Sequence, residues 1–269
     1  MTDQQSSGFQ VGLGVPDHYD TYVAPLMKPF IAALLAAVVQ PGQRVLDVAC
    51  GTGFATRAAS SIVGSGGSVS AIDINPGMIQ KARQQPTPGD VGWQVGSALD
   101  LPFEDASFDA VICQQGLQFF PSPADGLAEM HRVLRRGGSL GATVWAPIHL
   151  SPYLDAQASM ISEHCGIAPA VLEQAVPPEG EALLHRWATQ AGLSDPHIET
   201  LQLVVEFPPL RQHIVNHLRA LPWSGPFFAL SPTTQTAAVE AMVDSLANYT
   251  QPDGSAHIPT ASLLLTATR

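Results

Sequence analysis

The sequence predicts an α/β fold with a mostly parallel sheet. Three observations carry that prediction. Short apolar runs alternate with helix-compatible stretches from about residue 43 to residue 145, the pattern of successive βα units covered on both faces. The first run, Val45–Val48, stops in the glycine-spaced turn Ala49-Cys50-Gly51-Thr52-Gly53. The second run, Val69 to Ile72, ends in an acidic residue, Asp73. A strand that ends in such a turn, followed by an acid at the tip of the next strand, marks the ligand crevice of an open α/β sheet.

Taken in order, residues 1–15 read as disordered, being polar and Gly-rich. Leu26, Phe30, Leu34 and Val38 recur every four residues and so share one helix face. Pro41-Gly42 ends that helix. Strands are then expected at about 43–48, 68–73, 91–96, 108–113 and 139–145, and helices at 54–63, 76–84 and 122–135. Pro76 suits the first turn of its helix, and Gly137-Gly138 is read as the stop of the last one. Beyond residue 146 the pattern loosens. A helix from Tyr153 to Cys165, a helix at 181–191, and strands at 197–207 and 258–267 are expected. Residues 147–180 and 208–250 read as inserted segments between these elements.

Composition bounds the chemistry. Asp plus Glu number 23 and Lys plus Arg 12, a formal net charge of −11, and no basic run occurs. Nucleic-acid binding draws on many Lys and Arg contacts to phosphate, so a nucleic-acid partner is not expected. An acidic chain suits a neutral or cationic small molecule. Cys50, Cys113 and Cys165 are widely spaced and odd in number, which implies neither a disulfide framework nor a metal cluster. No basic and apolar leader pattern occurs, and no apolar run approaches the roughly 20 residues that span a bilayer. A cytoplasmic protein is expected, with no membrane association.

The turn also excludes one ligand class. A dinucleotide fingerprint requires a third glycine that is missing here, and Asp47 beside the turn would repel a pyrophosphate. The arrangement suits a nucleoside with a cationic, amino-acid-like tail.

Val45-Leu46-Asp47-Val48-Ala49-Cys50-Gly51-Thr52-Gly53 resembles motif I of the class I S-adenosylmethionine-dependent methyltransferases. Ala71 to Ile79 resembles their acidic second motif. Leu101 to Asp109 and Leu134-Arg135-Arg136-Gly137-Gly138 resemble the later signatures of the type 11 subgroup, which includes the ubiquinone/menaquinone methyltransferases. The resemblance covers roughly residues 40–146. It implies a Rossmann-like, seven-stranded fold with a core over 16–146 that 181–207 and 251–269 complete, the last two strands being its closing antiparallel pair, so that the insertions 147–180 and 208–250 sit over the crevice as a lid. It also implies S-adenosyl-L-methionine as cofactor and S-adenosyl-L-homocysteine as product.

The same resemblance implies site roles. Ala49, Gly51 and Gly53 bring backbone close to the methionine part, with Ala49 standing where relatives usually carry Gly. Asp47 organises the turn and meets the ammonium group. Asp73 accepts the ribose hydroxyls, while Ile74 and Met78 flank the adenine. Ser97-Ala98 stands where the subgroup commonly has Asp-Ala, so Ser97 offers the adenine amine an uncharged acceptor. Gln114 faces the methionine side or the acceptor substrate. From the covering helix, Tyr19 and Tyr22 are candidates to reach the methionine end, Tyr22 being preferred.

A base is needed only if the acceptor must lose a proton first. His18, His149, His164, His213 and His217 are candidates, with His149 first because it follows the fifth strand closely. Gln115 and Gln118 are alternatives that would hold the acceptor by hydrogen bonds. Trp145, Trp223, Phe227 and Phe228 either line an apolar substrate cavity or form the lid's own core. The expected activity is methyl transfer, by in-line displacement, to a small, fairly apolar molecule of secondary metabolism. The alternative is a protein of the same fold that binds the cofactor without transferring methyl.

Overall fold

The computed structural model describes residues 15–167, 176, 179–221 and 225–269. The expected disorder of residues 1–15 therefore falls, apart from Val15, outside the described residues, as does Trp223. Seven strands form one sheet: β1 (Arg44–Val48), β2 (Ser68–Asp73), β3 (Val91–Val95), β4 (Phe108–Gln114), β5 (Leu134–Trp145), β6 (His197–Phe207) and β7 (Ala256–Thr268). Their spatial order is β3-β2-β1-β4-β5-β7-β6. The first five strands pair in parallel, and β7 inserts antiparallel between β5 and β6. The order reverses between β1 and β4, so the carboxyl ends of those strands flank the crevice that such a sheet offers a ligand.

Hydrophobic burial explains why the central strands sit in the middle. Val45, Leu46 and Val48 of β1 and Ala110 to Cys113 of β4 are all buried, as continuous apolar strands covered on both faces must be. The long strand β6 lies at the sheet edge and alternates exposed and half-buried positions.

The helices are α1 (Val15–Tyr22), α2 (Lys28–Val38), α3 (Phe54–Val63), α4 (Pro76–Gln84), α5 (Pro123–Val133), α6 (Pro152–Cys165), α7 (Glu181–Gln190), α8 (Leu210–Arg219), α9 (Gly225–Phe228) and α10 (Pro232–Ser245). The spacing of Phe30, Leu34 and Val38 buries one face of α2 against the sheet. Asn75 caps α4, its side-chain oxygen accepting from the Gly77 and Met78 amides at 2.8 and 3.4 Å, and Pro76 occupies the first helical position as expected.

One boundary differs from the sequence expectation. The fifth helix stops at Val133, not near 135, and Gly137-Gly138 lies inside β5. Leu134 already pairs with Phe108, and the register then shifts before Ala110 meets Ser139. Gly137 takes φ +71° in this irregularity, and a Cβ on Gly138 would stand 2.8 Å from the Asp109 carbonyl. The glycines serve a bulge in the strand and the close approach of β4, not a helix cap.

The segments 147–180 and 208–250 contribute α6 and α8 to α10. These helices pack on one another, and α8 also packs on α1. Tyr153, Ile161, Leu210, Ile214, Leu218, Phe227 and Met242 share a continuous apolar core with α2 and the sheet residues Val45, Ile112 and Leu264. Among the described residues no helix is long and apolar enough to cross a membrane.

Candidate functional site

The crevice opens where β1 and β4 end. It encloses about 350 Å³ of atom-free space, part of it open to solvent. One wall is the turn after β1, from Asp47 through Thr52, with Phe54 and Ala55 of α3 behind it. Gln114 at the tip of β4 forms a second wall, and Tyr19, Ala24, Met27 and Ile31 of the N-terminal segment form the cover.

The turn owes its shape to unusual backbone angles. Ala49, Gly51 and Gly53 have φ of +58°, +55° and +84°. This left-handed region suits glycine, and Ala49 occupies it despite its methyl group. That methyl has a consequence across the crevice, where a Cβ on Gly116 would lie 2.6 Å from the Ala49 Cβ. Gly53 carries a second constraint, because a Cβ there would lie 2.4 Å from the Trp93 ring. The third strand thus packs directly on the start of α3.

Asp73 is drawn to the same turn. Its Oδ2 accepts from the Gly51 amide at 2.8 Å and its Oδ1 from the Asn75 amide at 2.8 Å. Burial pushes its carboxyl pKa up, against the pull of those two N–H donors. Ile74 follows with 59% of its surface exposed, the posture of an apolar wall facing an open site. The Gly96 amide donates to the Asp73 carbonyl at 3.0 Å, which holds the chain leading to Ser97 and Ala98 beside that acid. The Ser97 hydroxyl is engaged locally, accepting from the Leu99 amide at 3.1 Å.

Asp47 is fully buried. Thr56 of α3 donates to its Oδ2 at 2.5 Å, and its Oδ1 has no partner among the described residues. Burial pushes its pKa up to about 7; the Thr56 hydrogen bond opposes that and the nearby Asp73 charge adds to it. The Gln114 Nε2 is likewise buried without a partner among the described residues. An unpaired carboxylate oxygen and an unpaired amide N–H thus line one crevice. Orphaned buried polar atoms are costly, and together these two match a ligand that offers both a cation or donor and an acceptor.

The structure brings together Asp47, Ala49, Gly51, Gly53, Asp73, Ile74, Ser97, Ala98 and Gln114 around adjacent strand ends. It places others elsewhere. Met78 is buried on α4, as a core residue of an amphipathic helix would be. The preferred tyrosine changes, because Tyr19 lines the crevice while Tyr22 stacks on His18 and meets His213 edge-on. The two residues lie three apart on a helix, and only the packing of α1 decides which turns inward. Burial and the Asp73 charge push the Tyr19 hydroxyl up to about 12.

The acceptor-side candidates fare less well. His149 is exposed on a 3₁₀ turn after β5 and does not line the crevice. His164 lies in the last turn of α6, and it does not line the crevice either. Gln115 and Gln118 are buried and bonded to each other at 3.0 Å, and Gln115 also donates to Ser262 at 2.7 Å, while the Gln118 Oε1 has no partner among the described residues. Trp145 packs edge-on against Phe30, Phe227 belongs to the shared core, and Phe228 lies under Arg219.

Sequence reasoning missed Thr56, Asn75 and Trp93. The Asn-Pro step before a helix was a legible capping signal for Asn75, while the other two act across elements. No group of histidine, cysteine and acidic side chains among the described residues is arranged to hold a metal.

Residues 46–142 match the family described as a methyltransferase domain. A demethylmenaquinone methyltransferase of Staphylococcus epidermidis is 42% identical over 101 residues, which cover 37% of this chain and 42% of that protein. A Staphylococcus aureus protein of the same description is 43% identical over 101 residues, with the same coverage. The chain thus spans about two fifths of the length of the curated relatives it matches.

Two solved structures establish the architecture alone. Haemonchus contortus phosphoethanolamine N-methyltransferase 2 in complex with S-adenosyl-L-methionine aligns with a TM-score of 0.59 at 18% identity, covering 96% of this chain and 57% of that one. A SAM-dependent methyltransferase from Aquifex aeolicus aligns with a TM-score of 0.52 at 18% identity, covering 73% and 94%.

Proposed function

We propose that this chain, whose residues 46–142 match the methyltransferase domain family and whose sheet has the seven-stranded order β3-β2-β1-β4-β5-β7-β6, transfers a methyl group from S-adenosylmethionine to a small aromatic hydroxyl compound of the quinol type. The observation that carries the reading is the meeting of the Asp73 carboxylate with the glycine turn, 2.8 Å from the Gly51 amide, above a crevice in which Asp47 and Gln114 each hold a polar atom with no partner among the described residues.

S-adenosylmethionine, the cofactor of this family, supplies an already activated methyl sulfonium. The chain's residues therefore need to bind, align and exclude water. Asp73 can turn its two oxygens to the ribose hydroxyls, giving up the Gly51 and Asn75 amides. Asp47 and Gln114 complement an ammonium and a carboxylate. Ile74 offers one face to the adenine, and Tyr19, Met27 and Ile31 close over the sulfonium end. The helices of 147–180 and 208–250 act as the lid that sets the acceptor in line. The quinol class is supported by the description of the curated relatives, by the aromatic residues packed beneath α1, and by a net charge of −11 that disfavours anionic substrates.

Isothermal titration with S-adenosylhomocysteine tests the cofactor assignment, with a Kd on the order of micromolar expected. Absence of binding removes it. Label transfer from methyl-tritiated donor to a panel of hydroquinones tests the reaction. Binding without any transfer returns the reading to a cofactor-binding protein of the same fold.

A further inference from the structure

His213 and His217 sit one turn apart on α8, and their rings stack with centroids 5.5 Å apart at 17°. His217 is hydrogen-bonded through one ring nitrogen. Its Nδ1 lies 2.9 Å from the Tyr153 hydroxyl and 3.2 Å from the Gln157 Nε2. An amide nitrogen can only donate, so Nδ1 accepts and the proton resides on Nε2. His213 is different. It is only 2% exposed, yet neither of its ring nitrogens has a partner among the described residues. Leaving buried ring nitrogens unpaired is costly.

The surroundings of His213 are aromatic. Phe207 and Tyr22 meet its ring edge-on at 5.5 and 6.4 Å, and Tyr153 lies tilted at 5.9 Å. Tyr22 belongs to α1, and one turn earlier on the same helix Tyr19 lines the crevice wall. The single short helix α1 therefore covers both the crevice and His213. The aromatic faces around His213 thus lie behind the same helix that covers the glycine turn.

We propose that His213 is the residue that receives the methyl acceptor, a flat aromatic compound that enters beneath α1 and donates a ring hydroxyl to the free imidazole nitrogen. The proposal rests on the methyltransferase reading and adds to it the residue that selects the acceptor. The chemistry of the place favours this class over others. Burial pushes the His213 pKa down to about 4, so the ring is neutral and offers one acceptor and one N–H donor, with no charge to hold a carboxylate or phosphate. The flanking rings of Tyr22, Tyr153 and Phe207 suit a planar apolar body.

The test uses the full chain saturated with S-adenosylhomocysteine, titrated under argon with naphthohydroquinone and with its dimethyl ether, which cannot donate. The hydroquinone should bind about tenfold tighter than the ether, one hydrogen bond's worth of discrimination. His213→Phe keeps the ring and removes the nitrogens, and it should abolish that preference while leaving S-adenosylhomocysteine affinity unchanged. In wild-type protein labelled with nitrogen-15 histidine, the hydroquinone and not the ether should move the His213 ring signals, a readout that does not depend on how the variant folds. Equal affinity for the two compounds, binding of neither, or a preference that survives in His213→Phe overturns the assignment. Failure of S-adenosylhomocysteine itself to bind refutes the underlying cofactor reading instead.

Discussion

Replacing Gly53 with alanine tests the link between the turn and the third strand. The added Cβ would lie 2.4 and 2.9 Å from two carbons of the Trp93 ring and 3.1 Å from the Arg57 Nη1. Real Cβ atoms do not approach an aromatic ring that closely, so Trp93 or the turn must move. Two costs add. Holding alanine at φ +84° costs roughly 1–2 kcal/mol, a strain the chain already tolerates at Ala49. Forcing Trp93 aside in packed surroundings costs roughly 1–3 kcal/mol more. Together they remove about 2–5 kcal/mol from a total stability typically near 5–15 kcal/mol.

With a urea m-value of roughly 2–3 kcal/mol/M, the denaturation midpoint should fall by about 1–2 M. The steric part can be isolated. In Gly53→Ala/Trp93→Ala the clash disappears while the backbone strain remains, so the double variant should be less destabilised than the sum of the singles by about 1–3 kcal/mol. A Gly53→Ala midpoint equal to wild type, or strict additivity in the cycle, refutes the claim that Trp93 against Gly53 sets the geometry of the turn.

Three further outcomes follow from the site. Asp73→Ala removes the acceptor for both ribose hydroxyls and should weaken S-adenosylhomocysteine by about 2–4 kcal/mol, or roughly 30- to 1000-fold; an unchanged Kd by titration calorimetry places the ribose elsewhere. Asp47, at about 7 in the free protein, is ionised more readily once an ammonium lies beside it, so binding releases a proton. Affinity should then rise from pH 6 to pH 8, approaching about tenfold per unit on the acid side, and Asp47→Asn should flatten that dependence.

Stability should respond to acid through the paired histidines. Burial holds His213 and His217 down at about 4 and 3, with the His213 charge also lowering His217. Between those values and the ordinary 6.5 the unfolded chain binds more protons, so each histidine adds stability as pH rises from about 4 to 6.5, up to roughly 3 kcal/mol. Asp47 acts in the opposite sense, its raised pKa losing stability between about 4 and 7. His213→Phe should therefore make chemical-denaturation midpoints less sensitive to pH between 4 and 6.5, and a profile parallel to wild type counts against a buried neutral imidazole.

The alternating core was legible because its signals are local. A strand buried on both faces shows as an apolar run, as β1 and β4 do, and the glycine turn and Asp73 follow their strands directly in the chain. Site residues at those strand ends could be named in advance for the same reason. The segment 208–250 was read as an insertion without its helices, although Leu210, Ile214 and Leu218 already carry the four-residue spacing of α8. Gly137-Gly138 misled because a helix stop and a strand bulge ask for the same residue.

The amino-acid order alone determined the strand ends, the glycine-spaced turn and the acid that faces it, since each rests on backbone preference and short-range periodicity. Packing between elements decided the rest: Tyr19 and not Tyr22 over the crevice, Gln115 bonded to Gln118 and Ser262, Trp93 against Gly53, and the nitrogens of His213 without partners among the described residues. Those outcomes depend on how α1, α8 and β3 seat against neighbours tens to hundreds of residues away. No local propensity encodes an orientation that only the final close packing selects.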